Sequence, residues 1–236
     1  MKITEYPREE RLYQNMGFIE IYFSLRPDFP QAKRNNFGIL YNLDDAHMPA
    51  NSRGFGMHPH RDMEVVTLFL EGEGHHEDSN GNIGVTKAKA VQLITSGTGI
   101  MHEEYNFSKE EPFRGIQMFL HPKEKGVQPN YQKWELSPKD YQGKLCELIS
   151  PTGRNKSLKI ANDSYMNYGI LNKGSKTMYD LNDQTNGTFI KVIKGEIEVC
   201  GIHLREKDEI GIEEMEKITI NSLQESEIMV FELPIN

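Results

Sequence analysis

Histidine and glutamate residues recur two positions apart at two places in the chain. His58 and His60 form the first pair, and His102 and Glu104 form the second, with 41 residues between His60 and His102. Residues i and i+2 of a β-strand project from the same face, so each pair can converge on one point. Three neutral imidazole nitrogens and one carboxylate suit Fe(II), Mn(II), Ni(II), Cu(II) or Zn(II). The spacing therefore predicts one transition-metal site that needs neither cysteine.

Two further carboxylates compete with Glu104 as the oxygen ligand. Glu64 shares strand parity with His58 and His60, so parity alone leaves it open. It would lie about 13 Å from His60 along a regular strand, at roughly 3.3 Å per residue. Glu103 should point to the opposite face, and it becomes a candidate if a β-bulge changes the parity.

The remaining histidines show no comparable pattern. His75 and His76 follow a glycine-containing turn, and we expect them at a strand start or on a rim. His47, His121 and His203 are isolated in the sequence. We interpret all five as structural or solvent-facing residues.

Short runs rich in Val, Ile, Phe, Tyr and Thr must position the candidate ligands. Glycine, asparagine, aspartate or proline separates these runs, and no long stretch repeats apolar residues at helical spacing. Many short strands at this spacing predict an all-β sandwich, jelly roll or barrel. The clearest runs are GFIEIYF, EVVTLFLEG, VQLITSG, FRGIQMFL, GTFIKVIKGEIEV and EIMVFEL.

The chain is long enough for one large β domain or two smaller ones. Residues 121–137 are polar and contain Pro122, Gly126 and Pro129, which indicates a linker or an excursion across the surface. From Glu64 onwards the sequence shows a buried strand, a glycine-containing turn and a second strand. This pattern recurs weakly in the second half, without the histidines. We expect two related β units, residues 1–125 and 126–236.

Composition narrows the possible classes of protein. The chain has 27 basic and 35 acidic residues, a net charge of −8, and no basic excess for nucleic acid or an anionic membrane. Its longest strongly apolar run, residues 65–70, is too short to cross a bilayer. Two cysteines form no disulfide framework, and the N-terminal residues lack a secretory pattern. We therefore expect a cytoplasmic monomer that binds neither nucleic acid directly nor membrane.

Three ordered segments together resemble the pirin family of the cupin superfamily. Residues 54–64 carry G-F-G-x-H-P-H-R-D-M-E, residues 71–81 carry E-G-x-x-x-H-x-D-S-x-G, and residues 96–106 carry S-G-T-G-I-x-H-x-E-Y-N. The resemblance is closest to bacterial pirin-like proteins with quercetinase activity, and it extends into the second half. It implies a bicupin of two jelly-roll-type β-barrels, the first holding metal and the second degenerate.

The resemblance also implies which residues bind the metal and what they do. The family's ligands fall on His58, His60, His102 and Glu104, and the intact H-x-E pattern favours Glu104 over Glu64. One divalent ion is expected. The first expectation is Fe(II), and Mn, Co, Ni, Cu and Zn are the alternatives.

The implied activity is flavonol 2,3-dioxygenation. Glu104 would accept the proton of a substrate hydroxyl that the metal binds, and dioxygen would open the ring. A metal-binding regulator that acts through a protein partner is the alternative. We expect Phe55, Met57, Met101 and Met118 to line the substrate pocket.

Overall fold

The computed structural model describes residues 1–235, whose regular secondary structure is almost entirely β-strand, as predicted. The short helices are Arg8–Glu10 and Arg154–Lys156 (both 3-10) and α1 (Pro138–Tyr141). The strands within residues 1–125 are β1 (Lys2–Tyr6), β2 (Leu12–Asn15), β3 (Glu20–Leu25), β4 (Leu40–Met48), β5 (His58–His60), β6 (Glu64–Glu71), β7 (Glu73–Asp78), β8 (Ile83–Lys87), β9 (Ala90–Thr95), β10 (Ile100–Tyr105) and β11 (Phe113–Leu120). Those within residues 126–235 are β12 (Asn130–Glu135), β13 (Cys146–Ser150), β14 (Leu158–Lys159), β15 (Tyr165–Leu171), β16 (Lys176–Asp180), β17 (Asn186–Lys194), β18 (Glu196–Val199), β19 (Ile202–Arg205), β20 (Glu209–Glu213), β21 (Lys217–Ser222) and β22 (Ser226–Pro234).

These strands form four sheets. The site sheet has the order β5-β10-β7-β8, and the first central sheet has the order β12-β9-β6-β11-β4-β3-β2. The second central sheet runs β1-β20-β17-β22-β15-β13-β14, and the distal sheet runs β16-β21-β18-β19. The predicted bicupin is confirmed, but each half is a pair of open jelly-roll sheets and not a closed barrel.

The two halves repeat one strand order, which confirms the recurrence read from the sequence. The order β12-β9-β6-β11-β4-β3-β2 of the first central sheet corresponds strand by strand to the order β1-β20-β17-β22-β15-β13-β14 of the second. The distal sheet corresponds to the site sheet in the same way. Where β10 carries His102 and Glu104, the matching strand β21 carries Ile218 and Ile220, which are buried in an apolar core. Apolar side chains thus replace the predicted metal ligands in the second half.

The largest apolar core lies between the two central sheets. Leu68 of β6 and Ile116 of β11 pack there with residues of the second half, such as Phe189 and Phe231. The opposite face of β6 and β11 presents Thr67 and Gln117 to a cavity beneath the site sheet. The continuous apolar run of β6 is therefore buried on both faces, which explains its lack of alternation.

Buried charges also join the central sheets. Lys191 of β17 pairs with Glu209 of β20, and each side chain is about 1% exposed. Ser24 of β3 donates a hydrogen bond to the same Glu209 carboxylate at 2.6 Å. This contact crosses between the halves, and a buried pair of this kind is costly to break on one side only.

Each central sheet is completed by a strand from the other half of the chain. β12 lies in the segment predicted as a linker or excursion, and it pairs with β9 at the edge of the first central sheet. β1 pairs with β20, Lys2 opposite Glu213. The sequence did not predict this exchange. The boundary between residues 125 and 126 stays a prediction. β12 follows this boundary but joins the first central sheet, and β1 precedes it but joins the second.

No helix within residues 1–235 has the length and apolar character that crossing a bilayer requires.

Deletion of residues 1–6 should lower the free energy of unfolding, because it removes the strand that covers the edge of β20. We expect a fall of several degrees in melting temperature and self-association through the open edge, measured by scanning fluorimetry and size-exclusion chromatography. Glu5→Ala, which trims one exposed side chain of the same strand, is the control. Equal behaviour of the deletion and the control would contradict the structural role of β1.

Candidate metal centre

Three imidazoles meet on the inner face of the site sheet. β5 and β10 are antiparallel neighbours, with His58 directly opposite His102 and His60 opposite Ile100. The ring centroids of the three histidines lie 4.5–5.0 Å apart. One nitrogen of each lies within 4.8 Å of the others, close enough for a single ion. The structure thus brings together the three histidines that the spacing predicted.

Hydrogen bonds fix the tautomers of two of these rings. Nδ1 of His58 lies 2.7 Å from the carbonyl oxygen of Gly56, which only accepts, so Nδ1 carries the proton. Nδ1 of His60 lies 3.0 Å from the thioether sulfur of Met63, a weak acceptor. Both contacts leave Nε2 as the unprotonated nitrogen. Outer contacts that orient an imidazole in this way are typical of metal-binding histidines.

His102 is the buried member of the cluster. Its side chain is about 1% exposed, and neither ring nitrogen has a hydrogen-bond partner within the described part of the chain. A buried polar group without a partner is costly, and a metal ion would satisfy one of these two nitrogens. Burial, followed by the neighbouring His58 and His76, lowers the pKa of His102 to about 3. Burial and the adjacent histidines lower the pKa of His60 to about 3 as well, so both rings are neutral at physiological pH.

Glu104 lies two residues after His102 and shares its face of β10. Its carboxylate oxygens accept hydrogen bonds from the side-chain amides of Gln92 at 2.6 Å and Gln117 at 3.1 Å. A Glu104 oxygen lies within 4.8 Å of nitrogens of His102 and His76. Two amides of the first central sheet therefore hold the carboxylate beside the histidine cluster.

The two rival carboxylates lie elsewhere. The parity argument for Glu64 assumed one strand from His58 onwards, but the chain turns after His60 and Glu64 begins β6 in the other sheet. It is fully buried on the side of the central core and accepts a hydrogen bond from Thr95. Glu103 is on the outer face of the site sheet, opposite Glu77. No β-bulge separates it from Glu104 along this ladder.

The expectation that His76 lies at a strand start or on a rim was wrong, because its side chain is buried within β7, whereas its interpretation as a structural residue stays a prediction. His76 is about 1% exposed, stacks on Tyr131 with ring centroids 4.4 Å apart, and donates a hydrogen bond from Nε2 to Oδ2 of Asp78 at 3.0 Å. Its position beside His102 and Glu104 places it at the centre. The spacing of His76 and Asp78 follows the same two-residue rule as the recognised pairs. His75 faces outward and stacks on Tyr105, as expected for a rim residue.

A cavity of about 430 Å³ opens beside the histidine cluster. His58, His60 and Glu104 form part of its wall, and most of the remaining wall is apolar, with Ile21, Phe23, Phe55, Phe113 and Phe119 among its residues. Of the four predicted lining residues only Phe55 contributes. Met57 and Met101 are exposed, and Met118 packs in the core between the central sheets. Such a cavity suits a largely apolar ligand with a polar group on the side of the histidines.

Comparison with known proteins gives a consistent result for both halves. Residues 23–120 match the family model described as Pirin, and residues 147–233 match that described as Quercetinase C-terminal cupin domain. The chain is 31% identical over 226 residues to a quercetin 2,3-dioxygenase of Escherichia coli K12, covering 95% of this chain and 96% of the relative. It is 33% identical over 196 residues to a pirin-like protein of Caulobacter vibrioides, covering 83% of each.

A solved structure extends the similarity to the whole fold. The crystal structure of the bacterial pirin YhhW from Escherichia coli in complex with nickel(II) superposes with a TM-score of 0.90 at 30% identity. The alignment covers 100% of both chains.

His102→Leu should stabilise the metal-free protein and abolish metal binding. Leucine removes two buried nitrogens without partners, and we expect a gain of about 1–2 kcal/mol in the free energy of unfolding. Urea denaturation of the metal-free proteins and elemental analysis after reconstitution measure the two effects. His75→Leu on the outer face is the control and should keep the metal. A less stable metal-free His102→Leu protein would contradict this account of the orphaned ring.

Glu64→Gln should flatten the pH dependence of stability without loss of metal. Burial raises the pKa of Glu64 to about 7, although the Thr95 hydrogen bond opposes it. The native state therefore holds a proton that the unfolded state loses above about pH 4.5. The stability from this group is complete below that pH and is lost as the pH rises through about 7.

Urea denaturation at pH 5 and pH 8 measures the effect. The wild type should lose about 2.5 kcal/mol more than Glu64→Gln over this interval. Glu103→Gln should retain the wild-type dependence. The same slope in the wild type and Glu64→Gln would show that Glu64 ionises in the folded protein as it does in water.

Proposed function

The chain belongs to the pirin family, and from that membership we propose that it is a metal-dependent dioxygenase acting on flavonols or related phenolics. One observation carries the proposal. Three imidazoles with unprotonated nitrogens converge at the wall of an apolar cavity large enough for such a substrate, and a carboxylate lies beside them. A purely structural metal site would be closed by its ligands and would not adjoin a cavity.

We propose His58, His60, His102 and Glu104 as the ligands of one divalent transition metal. The orphaned nitrogens of His102 and the fixed tautomers of His58 and His60 fit this role. Fe(II) is the expected ion, with Mn, Co, Ni, Cu or Zn as substitutes for the same donor set. Binding requires neutral imidazoles, which the low pKa values of His60 and His102 favour.

The bound metal would act as a Lewis acid that polarises a phenolic oxygen of the substrate. The chain itself supplies orientation and proton transfer. The apolar walls hold the ring system and exclude water from its face. Glu104 would accept the hydroxyl proton on a carboxylate oxygen. The amides of Gln92 and Gln117 each donate a charge-assisted hydrogen bond to a different oxygen of this carboxylate and so hold it in place.

The cytoplasmic location, the monomeric state, the absence of nucleic-acid binding and the choice of iron stay predictions from the sequence.

The alternative of a metal-binding regulator predicts bound metal without turnover. Oxygen uptake with quercetin by the reconstituted protein distinguishes the two functions, since only the dioxygenase consumes oxygen in proportion to substrate.

Glu104→Gln should abolish quercetin-dependent oxygen uptake and weaken metal binding, because it removes both the anionic ligand and the proton acceptor. Glu103→Gln, which alters the adjacent outward residue, should retain uptake within about twofold, and Glu64→Gln should lose much less than Glu104→Gln. Metal content and oxygen uptake of the three variants, reconstituted with Fe(II) under identical conditions, test this. An active Glu104→Gln beside an inactive Glu64→Gln would overturn the assignment.

A further inference from the structure

A row of polar side chains crosses the floor of the cavity. On the inner face of the first central sheet, Gln117 of β11 pairs with Thr67 of β6 on one side and with Asp44 of β4 on the other. Gln117 donates to Glu104 and so belongs to the metal centre. Asp44 also lines the cavity, one strand further from the metal centre than Gln117, and it has no role in the proposed reaction.

A hydrogen-bond relay fixes the orientation of Asp44. Nη1 of Arg26 donates to Oδ1 of Asn42 at 3.0 Å, and Nδ2 of Asn42 donates to Oδ2 of Asp44 at 2.7 Å. The Arg26 guanidinium lies over the rings of Phe23 and Phe29, which hold it at the cavity wall. Because arginine only donates, the Asn42 amide has one possible orientation. Asp44 is thus built into the wall.

Oδ1 of Asp44 has no hydrogen-bond partner among the described residues. The Asp44 side chain is largely buried, at about 5% exposed. Burial raises the pKa of Asp44 to about 7, and the Asn42 hydrogen bond and Arg26 oppose this. A carboxyl group in this position can donate or accept a hydrogen bond near neutral pH. Its neighbours Phe23 and Ala46 line the same cavity and offer it no partner.

We propose that Asp44 is a specificity-determining residue that hydrogen-bonds a second hydroxyl group of a polyphenolic substrate. This inference rests on the proposed function, because it assumes that a first oxygen of the substrate is held at the metal centre. Asp44 lies about 5 Å beyond Gln117, the separation of adjacent strands, so one fused or biaryl ring system can reach both positions.

The chemistry of the relay selects a hydroxyl group. An anionic substituent would be repelled by a carboxylate, and Arg26 is already engaged with Asn42 and the two aromatic rings. An apolar substituent would cover the oxygen of Asp44 and leave it unpaired, which is unfavourable in a buried site. A hydroxyl group both donates and accepts, so it satisfies Asp44 in either protonation state.

Two flavonols that share the metal-binding end test the proposal. Quercetin carries four further hydroxyl groups, and 3-hydroxyflavone carries none of them. Dissociation constants are measured from flavonol absorbance for the Ni(II)-loaded protein under argon, for the wild type, Asp44→Leu and Asp44→Asn. We expect Asp44→Leu to weaken quercetin binding about tenfold and to change 3-hydroxyflavone binding less than twofold. Asp44→Asn, which still donates and accepts, should restore most of the preference.

The outcomes separate the two proposals. An unchanged ratio of the two affinities in Asp44→Leu would overturn the role of Asp44 and leave the dioxygenase proposal intact. Failure of the wild type to bind either flavonol would overturn both. If Asp44→Leu does not fold or load metal, Asp44→Ala is measured with the same expectation. Asp180→Asn, an exposed change in the distal sheet, is the control and should match the wild type with both ligands.

Discussion

The alternation of side chains across the first central sheet is the constraint on which the molecule depends. Each of its inner strands presents one set of residues to the core between the halves and the other set to the cavity. On β11, Ile116 and Met118 enter that core, whereas Gln117 and Phe119 face the cavity. A register slip of one residue would exchange the two sets and destroy both at once. The stability of the fold and the shape of the site therefore depend on the same pairing.

Local patterns were sufficient to predict a large part of this protein. The two-residue spacing identified His58, His60 and His102 as neighbours, and the composition of the runs identified an all-β fold. Both inferences use periodicity, which depends only on nearby residues. The second half was predicted to be a repeat without ligands because it lacks the histidine pairs. In the structure, Ile218 and Ile220 occupy the positions that correspond to His102 and Glu104.

The errors have a common cause, which is that sheet membership is not a local property. Glu64 was kept as a candidate because a strand that bends into another sheet looks continuous in the sequence. The burial of His76 was not predicted, because its stacking on Tyr131 depends on β12, which comes from a segment that looks like a linker. Met118 has an apolar side chain that would suit a pocket wall, but the alternation of side chains along β11 directs it into the core between the central sheets.

The exchange of edge strands has a consequence for synthesis on the ribosome. β1 is made first, yet its partner β20 lies about 200 residues later, with Lys2 opposite Glu213. At roughly 5–20 residues per second, β1 waits on the order of 10–40 s before its ladder can form. During that time the first central sheet can already assemble, since β12 follows its other strands closely. β1 thus pairs with its neighbour only after the strands of the first central sheet have all been made, although it precedes them in the sequence.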